Sequence, residues 1–352
     1  MTARPLRLAA VGCGRVFERF HLPALLRSPD WILVAAVDPA TERQRWVGRL
    51  VPSTALASSL GELDGGAAFE AVLISTPPDT HCALASEVLR RGAHVLIEKP
   101  MALRPPEAAS LVDLARDTDR QIWVGFNRRF RPTYIRLREA IRTTPPERLQ
   151  ALSYELRSAP ARWGAVTGFS GLQERGGGLL DDIASHQLDL VPWIVGRPVE
   201  AVRARYERRD AGALVVAIDL RFAGGLEARC RAGHGGDSAE RLEVRLAGRT
   251  LIATLGAMTA TGWAPTRLVD RYLAGRTLLG SVGRRLRGAP GHTAETFARQ
   301  LAAWAAAIRS ATPSAAADGV AGARCVELVE ACRGSLAAGG EWVTVPREAL
   351  SP

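Results

Sequence analysis

The chain has 352 residues, is 47% apolar and 23% charged, and carries a formal net charge of +10. This length suits two domains with a substantial core, and the composition is that of a globular protein, which excludes a disordered or fibrous chain. No apolar run approaches the roughly 18 residues of a bilayer span, and the opening residues run directly into a strand-and-glycine pattern. A cytoplasmic chain with neither signal peptide nor membrane partner is expected. Five cysteines, Cys13, Cys82, Cys230, Cys325 and Cys332, show no C-x-x-C pair or histidine spacing, which argues against a disulfide framework and against a metal site. Acidic residues break up the arginine excess and no recognition motif accompanies it, so a solvated basic surface is expected and nucleic acid is not.

Over the first 125 residues, short apolar runs at 6–11, 31–37, 71–75, 94–97 and 121–124 alternate with helix-length segments at 15–26, 41–50, 80–91 and 106–118. Near-continuously apolar strands are buried on both faces, and their alternation with crossover helices predicts a parallel sheet. After residue 126 strands follow one another directly, at 149–157, 199–207, 213–222, 226–231 and 242–246, which predicts an antiparallel sheet. Helices are expected at 178–195, 293–308 and 316–337, with a final short strand near 342–345. Segment 257–291 is irregular, and a loop of that length is usually functional or an assembly element.

Strand 6–11 runs into Gly12-Cys13-Gly14-Arg15-Val16-Phe17. A glycine turn that opens a helix lets backbone N–H groups hold a pyrophosphate, which makes Gly12, Gly14, Arg15 and Val16 candidates for cofactor binding. Phe17 stands where the third glycine of G-x-G-x-x-G belongs, so helix and strand must pack differently there. Asp38 closes strand 31–37, where a carboxylate accepts hydrogen bonds from an adenosine ribose and repels a 2′-phosphate, favouring NAD over NADP. Ser75-Thr76-Pro77 and Glu98-Lys99-Pro100 end two further strands at the same carboxyl edge, where open parallel sheets bind their ligands. Of the 46 lysines and arginines, Lys99 alone is a lysine. A compact ammonium with a tunable pKa suits chemistry that a flat, permanently charged guanidinium does not.

In the second half Gly176-Gly177-Gly178 precedes a helical segment in which Asp182, His186 and Asp189 fall at i, i+4 and i+7. They form one polar stripe on an otherwise apolar helix, which predicts that the stripe faces a cleft. His186 is the natural general acid/base, with a carboxylate neighbour able to orient its ring.

Together, Gly12-x-Gly14, Asp38, Thr76-Pro77-x-x-x-His81, Glu98-Lys99-Pro100, Gly125-Phe126-Asn127-Arg128-Arg129 and Gly176-Gly-Gly-x-x-x-Asp182-x-x-x-His186-x-x-Asp189 resemble the Gfo/Idh/MocA family of glucose–fructose oxidoreductase and inositol dehydrogenase. The resemblance implies an α/β fold: a Rossmann domain over 1–126, then an α+β substrate-binding and oligomerisation domain over 127–345 on an open, mostly antiparallel sheet. It implies that Lys99, Asp182 and His186 form the catalytic set. Ser75, Thr76, Pro77, His81, Glu98 and Lys99 would join the glycine loop and Asp38 at NAD, and Asn127, Arg128 and Asp189 would contact substrate. The implied activity is hydride transfer between nicotinamide and a secondary alcohol or ketone of a sugar or cyclitol, in a homo-oligomer; the arginines near 203–209 and 284–287, whose guanidiniums match phosphate bidentately, would instead favour a phosphate-bearing or nucleotide-linked sugar. A glycosidase-type enzyme that oxidises its substrate transiently on NAD, and a non-catalytic cofactor-binding regulator, are the alternatives.

Overall fold

The computed structural model describes residues 3–63, 68–158, 177–210, 213–234, 238–261, 292–310 and 317–346. These divide into two compact units, residues 1–127 with 293–323, and residues 128–292 with 324–352.

The first unit is built on six parallel strands: β1 Leu6–Val11, β2 Trp31–Val37, β3 Ala55–Ala57, β4 Ala71–Ile74, β5 His94–Ile97 and β6 Ile122–Val124. Their order is β3-β2-β1-β4-β5-β6, the doubly wound arrangement in which the chain reverses direction beside β1. Every residue of β4 is buried, and β1 and β5 are buried throughout except Arg7 and His94, as strands covered on both faces must be. Crossover helices run over Thr41–Leu50, His81–Arg90 and Pro105–Asp117. The last has proline in its first turn, where the missing N–H costs nothing.

The first crossover is not one regular α-helix. Phe17–His21 forms a wide π-helical turn between α-helical residues 15–16 and the α-helical turn Leu22–Leu25. Phe17, in the third-glycine position, is wholly buried. An aromatic ring thus occupies the place where glycine usually permits close contact, and the packing departs from regular helix-on-strand geometry accordingly.

The sequence assigns 127–345 to a second domain, whereas residues 293–323 cluster with the first unit. The Trp31 indole N–H donates to the Leu301 carbonyl at 2.9 Å, its ring lies 4.7 Å from that of Trp304, and the Val124 amide donates to Ala317 O at 2.8 Å. Trp31 and Trp304 are both buried in this contact, and burial of such large apolar rings stabilises the docking of this segment on the first unit.

The described residues of the second unit form eight strands: β7 Leu149–Ser158, β8 Val199–Asp210, β9 Ala213–Phe222, β10 Glu227–His234, β11 Ala239–Leu246, β12 Arg249–Thr254, β13 Met258–Thr261 and β14 Val343–Thr344. Their order is β13-β12-β11-β7-β10-β9-β8-β14, antiparallel except for the pair β7/β10. On β10 burial alternates, Ala228, Cys230 and Ala232 inward and Glu227, Arg229 and Arg231 outward, so one face is core and the other carries charge. Helices Pro132–Arg142 and Ser185–Val195 belong to this unit, the latter entered through a second π-helical turn, Leu180–Ala184. Helix His292–Ser310 and helix Gly319–Ala337 complete the described α-helices, and no helix among the described residues is long and apolar enough to cross a membrane. Most of segment 257–291 lies outside the described residues.

Candidate active site

In the first unit the glycine loop is bound on both sides. Gly12 has φ +87°, and a Cβ there would lie 2.8 Å from the backbone carbon and oxygen of Ser75 and from Thr76 Cγ2, so only glycine fits. Ser75 Oγ donates to Gly12 O at 2.7 Å, which ties the loop to the end of β4. Asp38, almost wholly buried, accepts the Cys13 amide on Oδ2 at 2.7 Å and the Ala40 amide on Oδ1 at 2.9 Å. Burial and the Asp38 charge push the Cys13 thiol up to about 12, so it stays protonated and unreactive. A Cβ on Gly14 would meet nothing within 4 Å, which leaves the mouth of the loop open. Arg15 and Val16 follow it, both half-buried.

The ends of β4 and β5 are joined by His81. Its buried ring places Nδ1 2.7 Å from Pro100 O and Nε2 2.9 Å from Thr76 O, and desolvation lowers its pKa. Thr80 Oγ1 donates to Pro77 O and to Thr76 Oγ1, both at 2.7 Å. His81 therefore bridges the Thr76–Pro77 turn and the Lys99–Pro100 turn, its one ring N–H donating to one of these two carbonyls while the other ring nitrogen faces the second. The Lys99–Pro100 peptide is cis, and Lys99 is half-buried two residues beyond β5. Glu98 Oε1 lies 2.7 Å from His21 Nε2.

In the second unit Asp182 sits in the π-helical turn and His186 in the first turn of helix Ser185–Val195, both half-buried. A π-helical turn inside an otherwise α-helical run is common at functional sites. A side chain at ion-pair distance from Asp182 is that of His234, whose Nε2 lies 3.5 Å from Oδ2. His234 ends β10 and was not singled out in the sequence, because its partnership with Asp182 depends on strand register.

Asp189 leaves the expected stripe. It is buried and receives Arg129, whose Nε lies 3.1 and 3.0 Å from its two oxygens and whose Nη2 lies 2.5 Å from Oδ1. Arg128 is likewise engaged: with Arg131, Tyr134 and Tyr154 it converges on Oε1 of Glu240. Burial alone would raise the Glu240 carboxyl, but the Arg128 and Arg131 guanidiniums hold it down at about 2. Asn127, of the first unit, donates through Nδ2 to Thr296 Oγ1 at 3.0 Å. All three residues expected at the substrate are thus committed to protein partners. Among the described residues no group of three or more His, Cys, Asp or Glu could hold a metal ion.

Residues 6–126 match the model of the oxidoreductase family with NAD-binding Rossmann fold, and residues 155–251 match that of the GFO/IDH/MocA C-terminal domain. The chain is 29% identical to D-glucoside 3-dehydrogenase of Escherichia coli over 216 residues, covering 58% of each chain. It is 28% identical to inositol 2-dehydrogenase of Leifsonia xyli over 230 residues, 63% of this chain and 65% of that protein. These alignments span little more than half the length of such relatives. The WlbA dehydrogenase of Bordetella pertussis, solved with NADH and UDP-GlcNAcA, superimposes with a TM-score of 0.81 at 22% identity, over 99% of this chain and 100% of that one. At that identity the likeness is one of fold.

Proposed function

Because the chain belongs to the GFO/IDH/MocA oxidoreductase family, we propose that it binds NAD on the Gly12–Gly14 loop and moves a hydride between the nicotinamide and a secondary alcohol or ketone carbon of a sugar or cyclitol. The strongest support is the Gly12 turn itself: glycine is obligatory there, the Gly14 side is open, and Asp38 stands at the end of the neighbouring strand. These residues fit a dinucleotide. Gly12, Gly14, Arg15 and Val16 would hold the pyrophosphate, with Ser75, Thr76 and Pro77 beside them, and Asp38 the adenosine ribose. A 2′-phosphate would meet the Asp38 carboxylate, so NAD is preferred over NADP.

NAD supplies the hydride acceptor, or in its reduced form the donor. The remaining chemistry belongs to side chains. His186 takes the substrate hydroxyl proton on an imidazole nitrogen during oxidation and returns it during reduction. Lys99 donates a hydrogen bond from Nζ to the reacting oxygen, stabilising the negative charge that develops there. Asp182 accepts a hydrogen bond from a substrate hydroxyl on one carboxylate oxygen while the other faces His234. The names of the relatives, a glucoside and an inositol dehydrogenase, support a polyhydroxylated ring as substrate.

The test is His186→Ala. Turnover is expected to fall about 10²- to 10⁴-fold with NAD affinity nearly unchanged. Normal turnover in this variant would refute the role assigned to His186.

A further inference from the structure

His21 has no part in the chemistry above. It closes the π-helical turn Phe17–His21, its side chain is 1% exposed, and its Nε2 lies 2.7 Å from Glu98 Oε1. Its ring stands edge-on to Phe297 at 4.8 Å and 88°, and Phe297 in turn stacks on Phe20 at 4.9 Å and 6°. The imidazole is therefore fixed by aromatic packing as well as by the carboxylate.

Glu98 is fixed from its own side. Its amide donates to Ile74 O at 2.9 Å, continuing the sheet one residue past β5. Its carboxylate lies over the backbone of Gly125, where a Cβ would come within 2.8 Å of Oε2 and 3.1 Å of the Glu98 Cα. Glycine at 125 makes this approach possible, and His21 Nε2 engages the other carboxylate oxygen, Oε1. Glu98 thus sits between the first crossover helix and the end of β6, and the residue after it is Lys99.

We infer that His21 and Glu98 form a positioning pair: the imidazole holds the Glu98 carboxylate and so sets the Glu98–Lys99–Pro100 turn against the helix that the glycine loop opens. This rests on the proposed hydride transfer. Glu98, expected at the cofactor, acts here through His21 instead. Removing the imidazole leaves a largely buried carboxylate without this charge-assisted partner, a larger loss than that of a neutral hydrogen bond. Loss of His21 therefore lets Lys99 drift, while the Gly12 turn keeps its own anchors on Ser75 and Asp38.

The experiment compares His21→Ala, His21→Gln and Lys99→Ala with wild type, reading kcat and KM, NAD Kd by protein fluorescence, and thermal midpoint. His21→Ala is expected to lower kcat on the order of 10- to 100-fold, the scale of an ångström misplacement, with NAD Kd changed less than about threefold. His21→Gln, whose side-chain N–H can reach the same carboxylate, is expected to recover most of that loss. Wild-type kcat in His21→Ala, equal loss in both His21 variants, or a parallel decline of kcat, NAD affinity and thermal midpoint would each overturn the pair. Collapse of Lys99→Ala with His21→Ala unaffected would overturn the pair alone. Wild-type turnover in Lys99→Ala, or none in any of the proteins, would overturn the proposed function and the pair with it.

Discussion

The Oδ2 atom of Asp38 accepts the Cys13 amide at 2.7 Å, so the carboxylate proposed to read a ribose also grips the middle of the glycine loop. On that proposal one residue links loop shape to cofactor choice. Asp38→Asn removes the charge while its amide oxygen can still accept one of the two backbone N–H groups. NAD Kd is expected to rise about tenfold or more, and NADP Kd to rise less or to fall, in parallel fluorescence titrations. Equal weakening of both cofactors would assign Asp38 to the loop alone.

Gly12→Ala places a Cβ against the Ser75 backbone at a positive φ. Strain of this kind costs about 1–3 kcal/mol, and relieving it moves the turn. Urea unfolding should show that loss, with NAD binding reduced further than stability alone explains.

For Asp189 two roles make opposite forecasts. As the buried partner of Arg129, its replacement by Ala should cost about 3–5 kcal/mol and leave KM of the folded enzyme unchanged. A substrate contact would instead raise KM at wild-type stability. Chemical denaturation and steady-state kinetics on one preparation separate them.

Glu240 gives a pH signature. Its carboxyl is held at about 2 in the folded protein, against 4.5 for the free group. A depressed carboxyl contributes stability that is fully present above the unfolded pKa and is lost as pH falls from about 4.5 toward 2. The contribution is about 3 kcal/mol at neutral pH. Glu240→Gln should therefore be less stable than wild type at pH 7, and the gap should narrow steadily below pH 4.5 in denaturant titrations.

The parallel sheet was legible because doubly buried strands such as β4 and β5 read as unbroken apolar runs, and the glycine loop and Asp38 lie at fixed offsets from those runs. Short or half-exposed elements were not: β3, with two exposed residues of three, carries no apolar signal, and β12, β13 and helix Pro132–Arg142 were missed. A regular helical wheel placed Asp189 on a stripe with Asp182 and His186. It could not anticipate the π-helical turn Leu180–Ala184 or the guanidinium of Arg129 arriving from 60 residues away. His21, His234 and Glu240 escaped for the same reason, since each acts on a partner far off in the chain and local pattern holds no record of it.

Hydride transfer with Lys99 at the reacting oxygen is put to the test by reduced-nicotinamide absorbance. Wild type and Lys99→Arg are followed side by side with NAD and a panel of sugars, cyclitols and nucleotide sugars. Wild type should accumulate NADH on at least one of them, and Lys99→Arg, which keeps the charge but not the compact ammonium, should be slower by about 10²-fold while binding NAD normally. A fully active Lys99→Arg enzyme, or substrate consumed with no NADH accumulating, would contradict it.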